Sequence, residues 1–140
     1  MVLIAFLRRL ARGERGAALM EFALVAPVFL ATLLGIVGYG GYFWRAHAVQ
    51  QVANDSARAA LSGLTSTERE TLALAAATSE FRSMAGMDTA RTATVVRQTT
   101  ETVTVEISYD GSRDGFLNLS LIPLPSKLIK RVAAVRLGGL

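Results

Sequence analysis

His47, Asp55 and Ser56 are the residue types of a hydrolase triad. All three lie in one stretch that the sequence pattern predicts to be helical, and their spacing is poorly suited to a triad. His47 is the single histidine and the chain has no cysteine, which argues against a zinc cluster. The sequence therefore predicts no enzyme active site, no cofactor and no metal site.

Two further acids, Asp110 and Asp114, flank a loop that contains glycine. Their spacing is not that of an EF-hand calcium loop, so they are predicted to be turn residues. Asp55 and Arg58 are three residues apart on the predicted helix, which favours a surface ion pair. None of these groups indicates chemistry on a substrate.

A single carboxylate, Glu21, directly precedes residues 22–44, which are 23 positions without a charge. A helix of that length is about 34 Å long, enough to cross a hydrocarbon core of about 30 Å. A chain of 140 residues could hardly surround such a helix, so a membrane span is predicted in preference to a buried core helix. A carboxylate in the apolar phase costs about 2.5–3.5 kcal/mol. Glu21 is therefore expected to be paired, or to lie unpaired at the level of the headgroups.

The formal net charge of +4 comes mainly from the N-terminal tail. Residues 17–140 carry 11 basic and 10 acidic side chains, so no basic binding surface is predicted and nucleic acid is not an expected partner. By the positive-inside rule the tail is predicted to be cytoplasmic and residues 45 onward to be exported. The charged residues of the tail are Arg8, Arg9, Arg12, Glu14 and Arg15.

The boundary between the tail and the apolar run has a further pattern. Gly16 directly precedes the apolar residues that begin at Ala17, and Glu21 is the fifth residue after Gly16. This arrangement resembles the type IV prepilin cleavage pattern. More closely, residues 13–60 resemble the TadE-like family of tight-adherence pilus assembly proteins. The matching residues are Arg15, Gly16, Glu21, Phe22, Pro27, Gly35 and residues 57–59.

The resemblance implies that a membrane-embedded prepilin peptidase cuts between Gly16 and Ala17. The product would be a minor pseudopilin that assembles or primes a tight-adherence (Tad/Flp-type) pilus, with Glu21 and Phe22 as recognition and assembly residues. The implied partners are the peptidase, other pilin-like subunits, the assembly platform and the lipid bilayer. The implied location is the bacterial inner membrane, with the C-terminal domain periplasmic or extracellular. The alternative is an uncleaved single-pass membrane protein whose exported domain binds a partner.

The predicted fold class is α+β, with three parts. Residues 1–16 form a basic leader, residues 17–61 form one transmembrane helix with its extension, and residues 62–140 form a small exported domain with a pilin-like architecture. One side of the extension is rich in alanine, for packing on a neighbour or on its own domain. These alanines are Ala46, Ala53, Ala57 and Ala60.

Within the exported domain, a second helix is expected over about residues 67–85. Strands of a small antiparallel sheet are expected at 92–98 and 102–109, the second from the alternation of apolar and polar residues. Residues 116–128 read as an apolar loop or short element interrupted by prolines. Residues 129–137 fit either a strand or a short helix, and the pattern does not decide between them.

Overall fold

The computed structural model of the chain describes residues 14–118 and 123–138. Most of the predicted leader, and part of the apolar loop at 116–128, lie outside these residues. The described elements confirm the predicted α+β class. In chain order they are α1 (Glu14–Ala60), α2 (Ser66–Ser83), a 3-10 turn (Thr89–Arg91), β1 (Thr92–Gln98), β2 (Thr102–Asp110), a 3-10 turn (Gly115–Leu117) and β3 (Leu128–Arg136).

The chain falls into two compact units, Met1–Val37 and Gly38–Leu140. The described part of the first unit is the N-terminal half of α1, and its large apolar side chains are exposed. Leu24, for example, is 75% exposed and Val28 is 68% exposed. The helix is long and apolar enough to cross a membrane, and its most apolar window has no buried residue.

The C-terminal half of α1 belongs to the second unit and buries one face. Val49, Val52 and Ala53 are fully buried at steps of three and one, the spacing of neighbours on one side of a helix. The four predicted alanines are buried with them in a core shared with the sheet. The sequence left open whether this face packs on a neighbouring molecule or on the chain's own domain, and the structure shows it packed on its own domain. The predicted surface pair of Asp55 and Arg58 is also present, at 3.9 Å.

Helix α2 begins with a capping box. Thr65 Oγ1 accepts a hydrogen bond from the Glu68 backbone N–H at 3.2 Å, and the Glu68 carboxylate accepts one from the Thr65 N–H at 3.1 Å. The backbone N–H groups of Thr65 and Leu64, which both donate to the Glu68 carboxylate, hold the pKa of the Glu68 carboxyl below its usual value. The helix ends at Ser83, two residues before the predicted end.

The buried face of α2 agrees only in part with the predicted one. The sequence predicts an apolar face of Leu72, Ala75, Ala76 and Phe81. Phe81 is buried and Ala76 is half-buried, but Leu72 and Ala75 are exposed. Ala73 and Ala77 are buried with Phe81, at steps of four. Because alanine and leucine alternate closely along this helix, two adjacent faces are similarly apolar, and contact with the core decides between them.

The sheet has three antiparallel strands in the order β1-β2-β3. The inner face of β2 is fully or almost fully buried, as its alternation predicts, and consists of Val103, Val105, Ile107 and Tyr109. Nine residues of β3 pair in register with β2, which settles the conformation of residues 128–136 as a strand. The backbone N–H and C=O groups of β3 form hydrogen bonds with β2, which is distant in the sequence. The local sequence of β3 therefore could not decide between strand and helix.

One acid on α2 opposes folding at neutral pH. Glu80 Oε2 is buried, with no hydrogen-bond partner among the described residues. Burial raises the pKa of the Glu80 carboxyl, and the nearby Asp55 carboxylate raises it further. A raised folded-state pKa contributes stability that is complete below the unfolded value of 4.5 and is lost as pH rises through the folded value.

We therefore expect Glu80→Gln to raise the unfolding temperature at pH 7, because the amide has no charge to desolvate. The gain should shrink toward zero as pH falls below 4.5. Circular dichroism melts of the detergent-solubilised full chain at several pH values measure this. Glu70→Gln, at an exposed site on the same helix, is the matched control. A Glu80→Gln variant that melts at or below the wild-type temperature at pH 7 contradicts the expectation.

Candidate functional site

The four residues of the predicted processing and assembly site, Gly16, Ala17, Glu21 and Phe22, all lie on α1. Gly16 is buried and the other three are exposed, Phe22 by 69%. In the uncleaved chain the helix already includes Glu14. A start at about residue 17 stays a prediction for the helix of the mature chain. Glu14 and Arg15 are good helix formers, and an acid in the first turn is favoured by the helix dipole.

Because α1 runs through Gly16, the Gly16–Ala17 bond lies within its first turn. A peptidase needs the backbone around the cut to leave the helical conformation. A glycine at this place makes such local opening easier, since glycine is about 1 kcal/mol less favourable than alanine in a helix interior. Glu21 is four residues beyond Ala17, one helical turn away, and its exposed side chain is open to another molecule.

A second cluster, which we call the Arg45 clamp, consists of Arg45, Asp114 and Tyr109. Arg45 Nη2 donates to Asp114 Oδ1 at 2.7 Å, and Arg45 Nε donates to Asp114 Oδ2, which makes the pair bidentate. The two side chains are only 7% and 9% exposed. Arg45 Nη1 also donates to the Gly41 carbonyl at 3.1 Å. The clamp joins α1 to the loop that follows β2.

Tyr109 completes the Arg45 clamp from the sheet. Its hydroxyl donates to Asp114 Oδ2 at 3.4 Å. Burial raises the pKa of the Tyr109 phenol, and the Asp114 carboxylate raises it further, so the phenol stays protonated and can donate. The Tyr109 hydroxyl and the Arg45 guanidinium therefore both donate hydrogen bonds to the buried Asp114 carboxylate.

The structure corrects one prediction and confirms another in this loop. Asp114 is an ion-pair residue and not simply a turn residue, because its carboxylate points to the Arg45 guanidinium. Asp110 is a turn residue as predicted, since its Oδ1 accepts from the Ser112 backbone N–H at 2.9 Å. A sequence signal for the clamp did exist: Arg45 is the first charged residue after the uncharged run. Its partner is 69 positions away, so the sequence could not select it.

Aromatic residues surround the end of the uncharged run. The Tyr42 and Phe43 rings meet edge to face at a centroid distance of 5.7 Å, and the Tyr39 ring is 6.4 Å from Phe43. The Arg45 guanidinium carbon lies 5.7 Å from the centre of the Trp44 ring. Tyr39 also donates its hydroxyl proton to the Pro123 carbonyl at 2.7 Å. Such rings are enriched where a span leaves the membrane.

The three triad-type residues are not brought together. His47 is exposed on α1, whereas Ser56 is fully buried on the same helix, so they occupy different sides of it. Asp55 makes its ion pair with Arg58. The middle of α1 therefore has no triad-like site, and the candidate functional residues of α1 are those at its N-terminal end and in the Arg45 clamp.

We expect Asp114→Ala to destabilise the second unit by about 3 kcal/mol, the low end for breaking a buried ion pair, because Arg45 keeps its bond to Gly41. The double variant Arg45→Met, Asp114→Leu should lose less than either single variant, because no buried charge loses its partner. Urea unfolding of the full chain in detergent, followed by the fluorescence of the single tryptophan, measures both. Additive losses in the double variant speak against a coupled pair.

Comparison with known proteins adds a family to this geometry. Residues 16–58, less than half of the chain, match the model of the family described as TadE-like protein. Searches of curated proteins and of solved structures give no match. The matched range begins at Gly16, includes Glu21, Phe22 and Arg45, and ends within the last turn of α1. The match confirms the resemblance found in the sequence: residues 16–58 are a TadE-like region, of the kind associated with tight-adherence (Tad) pili.

Proposed function

We propose that the protein is a minor pseudopilin of a tight-adherence (Tad/Flp-type) pilus system, cut by a prepilin peptidase after Gly16 and acting in pilus assembly or priming. One observation carries the proposal. The TadE-like match falls on a continuous helix whose apolar N-terminal half is exposed and bears a single carboxylate after Gly16, Glu21, five residues further on. This is a helix built to be covered by something other than its own chain.

The charges around the proposed cut support an assembly role for Glu21. Cleavage removes all the arginines of the tail and creates an ammonium group at Ala17. Between Ala17 and Trp44 the sequence then has one charged side chain, Glu21. The ammonium and the carboxylate can meet within one chain, or the ammonium of one subunit can meet Glu21 of its neighbour. The second pairing sets the register between packed helices, as a polar residue does in a coiled-coil seam.

The exposed apolar side chains support the same role. Phe22, Leu24 and Val28 are each more than two-thirds exposed. Such a surface is stable in lipid before assembly, and against the helices of neighbouring subunits after it. By the positive-inside rule, the basic tail favours a cytoplasmic N-terminus and the export of residues 45 onward across the bacterial inner membrane. The proposed partners are accordingly the peptidase, pilin-like subunits and the assembly platform. No catalytic activity is proposed.

A second candidate is an uncleaved single-pass membrane protein with an exported partner-binding domain. One observation favours it: Gly16 is buried within a helix that already includes Glu14, so the bond to be cut is not presented in an extended conformation. The two candidates differ in whether the tail is removed.

The first prediction for this function is that the mature chain begins at Ala17. N-terminal sequencing of protein from cells with a working prepilin peptidase should find Ala17, and Gly16→Leu should block the cut, because its side chain crowds the backbone where the enzyme approaches. Gly35→Leu is the matched control on the same helix, since a Cβ at Gly35 meets no atom within 4 Å. Wild-type protein that keeps residues 1–16 in such cells supports the second candidate instead.

The second prediction concerns Glu21. Glu21→Val should enter the membrane at least as well as wild type, because a desolvation cost of about 2.5–3.5 kcal/mol is removed. It should still be cut, since Gly16 is intact, but should fail to crosslink to pilin-like subunits. Glu21→Asp, which keeps the charge with a shorter reach, should assemble in part.

Pilus counts and crosslinking of wild type and both Glu21 variants test whether Glu21 acts in assembly. Normal assembly of Glu21→Val would show that the acid is only a tolerated residue at headgroup level. Loss of cleavage in that variant would place Glu21 in peptidase recognition and remove the support for an assembly role.

A further inference from the structure

The second compact unit starts inside the uncharged run. The run extends over residues 22–44, and the unit begins at Gly38. Residues 38–44 are therefore part of the candidate membrane span and part of the folded domain at the same time. Any group of the domain that contacts the early part of this segment must share its depth in the bilayer.

Pro123 is such a group. Its carbonyl accepts the hydrogen bond from the Tyr39 hydroxyl at 2.7 Å. Tyr39 is five residues before the end of the uncharged run, which is about 8 Å along a helix axis. Pro123 is exposed on the surface of the domain. The hydrogen bond thus holds Pro123, from a distant part of the chain, at the level where the candidate span leaves the membrane.

The chemistry near Pro123 suits that level. The sequence from Gly115 to Ser126 has no charged residue, and the acid before it, Asp114, is held in the Arg45 clamp. Pro123 and Pro125 have no backbone N–H, which removes two donors that would need a partner away from water. The Tyr39 ring, whose hydroxyl contacts Pro123, and the Phe43 ring, 6.4 Å from the Tyr39 ring, are of the type that prefers the headgroup boundary.

We propose that Tyr39, Phe43 and Pro123 form an interfacial surface that lies in the headgroup region of the exported-side leaflet. The domain then contacts the bilayer at a second place besides its helix, and the lipid holds it close to the membrane before assembly. This proposal rests on the membrane span of the proposed function. Lipid is the chosen occupant because the surface is continuous with the uncharged run and has the aromatic composition of a membrane boundary.

The absence of cysteine from the sequence allows a direct test with single labels. Three cysteine variants of the full chain are made, Pro123→Cys, Leu30→Cys and Ser79→Cys, each labelled with a polarity-sensitive fluorophore. Pro123→Cys keeps the carbonyl that accepts from Tyr39. Leu30 is a reference within the span, and Ser79 is an exposed control on α2. The proteins are inserted in phosphatidylethanolamine–phosphatidylglycerol vesicles that contain lipids with nitroxide quenchers at shallow or deep positions.

The expected result is a loss of emission at position 123 with the shallow quencher, a loss at position 30 with the deep quencher, and no loss at position 79. Quenching at position 30 alone overturns the interfacial surface and leaves the membrane span intact. Lack of quenching at both positions 30 and 123 overturns the span itself, and the proposed function with it. Quenching at position 123 that disappears as the protein-to-lipid ratio rises shows that a second copy covers the surface, which also overturns the proposal.

Discussion

The buried ion pair between Arg45 and Asp114 constrains the second unit because neither charge is tolerable in the interior without the other. Moving one charge from water to a dry interior costs several kcal/mol even after relaxation. The bidentate geometry fixes the guanidinium in one orientation. Because Arg45 lies on α1 and Asp114 in the loop after β2, that orientation also fixes where the helix meets the sheet. Apolar contacts alone allow an alanine-rich face to slide.

The two halves of α1 show how one helix meets two different demands. Its N-terminal half presents exposed large apolar side chains such as Leu24. Its C-terminal half buries small side chains, including Ala53 and Ala57, in the core that it shares with the sheet. The change occurs near Arg45, where the first charge after the uncharged run is neutralised inside the domain.

Much of this fold follows from local sequence. The alternation of Val103, Val105 and Ile107 predicts β2, and the uncharged run predicts the first half of α1. Three candidate capping residues, at positions 65–67, predict the approximate start of α2, and the structure selects Thr65 among them. Local pattern fails where a choice depends on distant contacts. The buried face of α2, the strand conformation of residues 128–136 and the partner of Arg45 are all decided by elements far away in the chain. The candidate site at Gly16 and Glu21 was recognisable because its residues are only five positions apart, whereas the Arg45 clamp was not.

The two ends of the uncharged run differ in a way that bears on assembly. At the C-terminal end, the cation of Arg45 is neutralised by a carboxylate of the same chain, and the bond is insulated from water. At the N-terminal end, Glu21 is exposed on the helix surface, and its exposure leaves it accessible to a second molecule. A charge satisfied internally adds to the stability of one subunit, whereas a charge offered outward in an apolar setting adds to the specificity of contact between subunits. In the proposed function, a neighbouring subunit that supplies a cation removes the cost of an unpaired Glu21 in the apolar phase. Under that proposal, the pairing of Glu21 and the exposed apolar side chains around it both favour association of this helix with others.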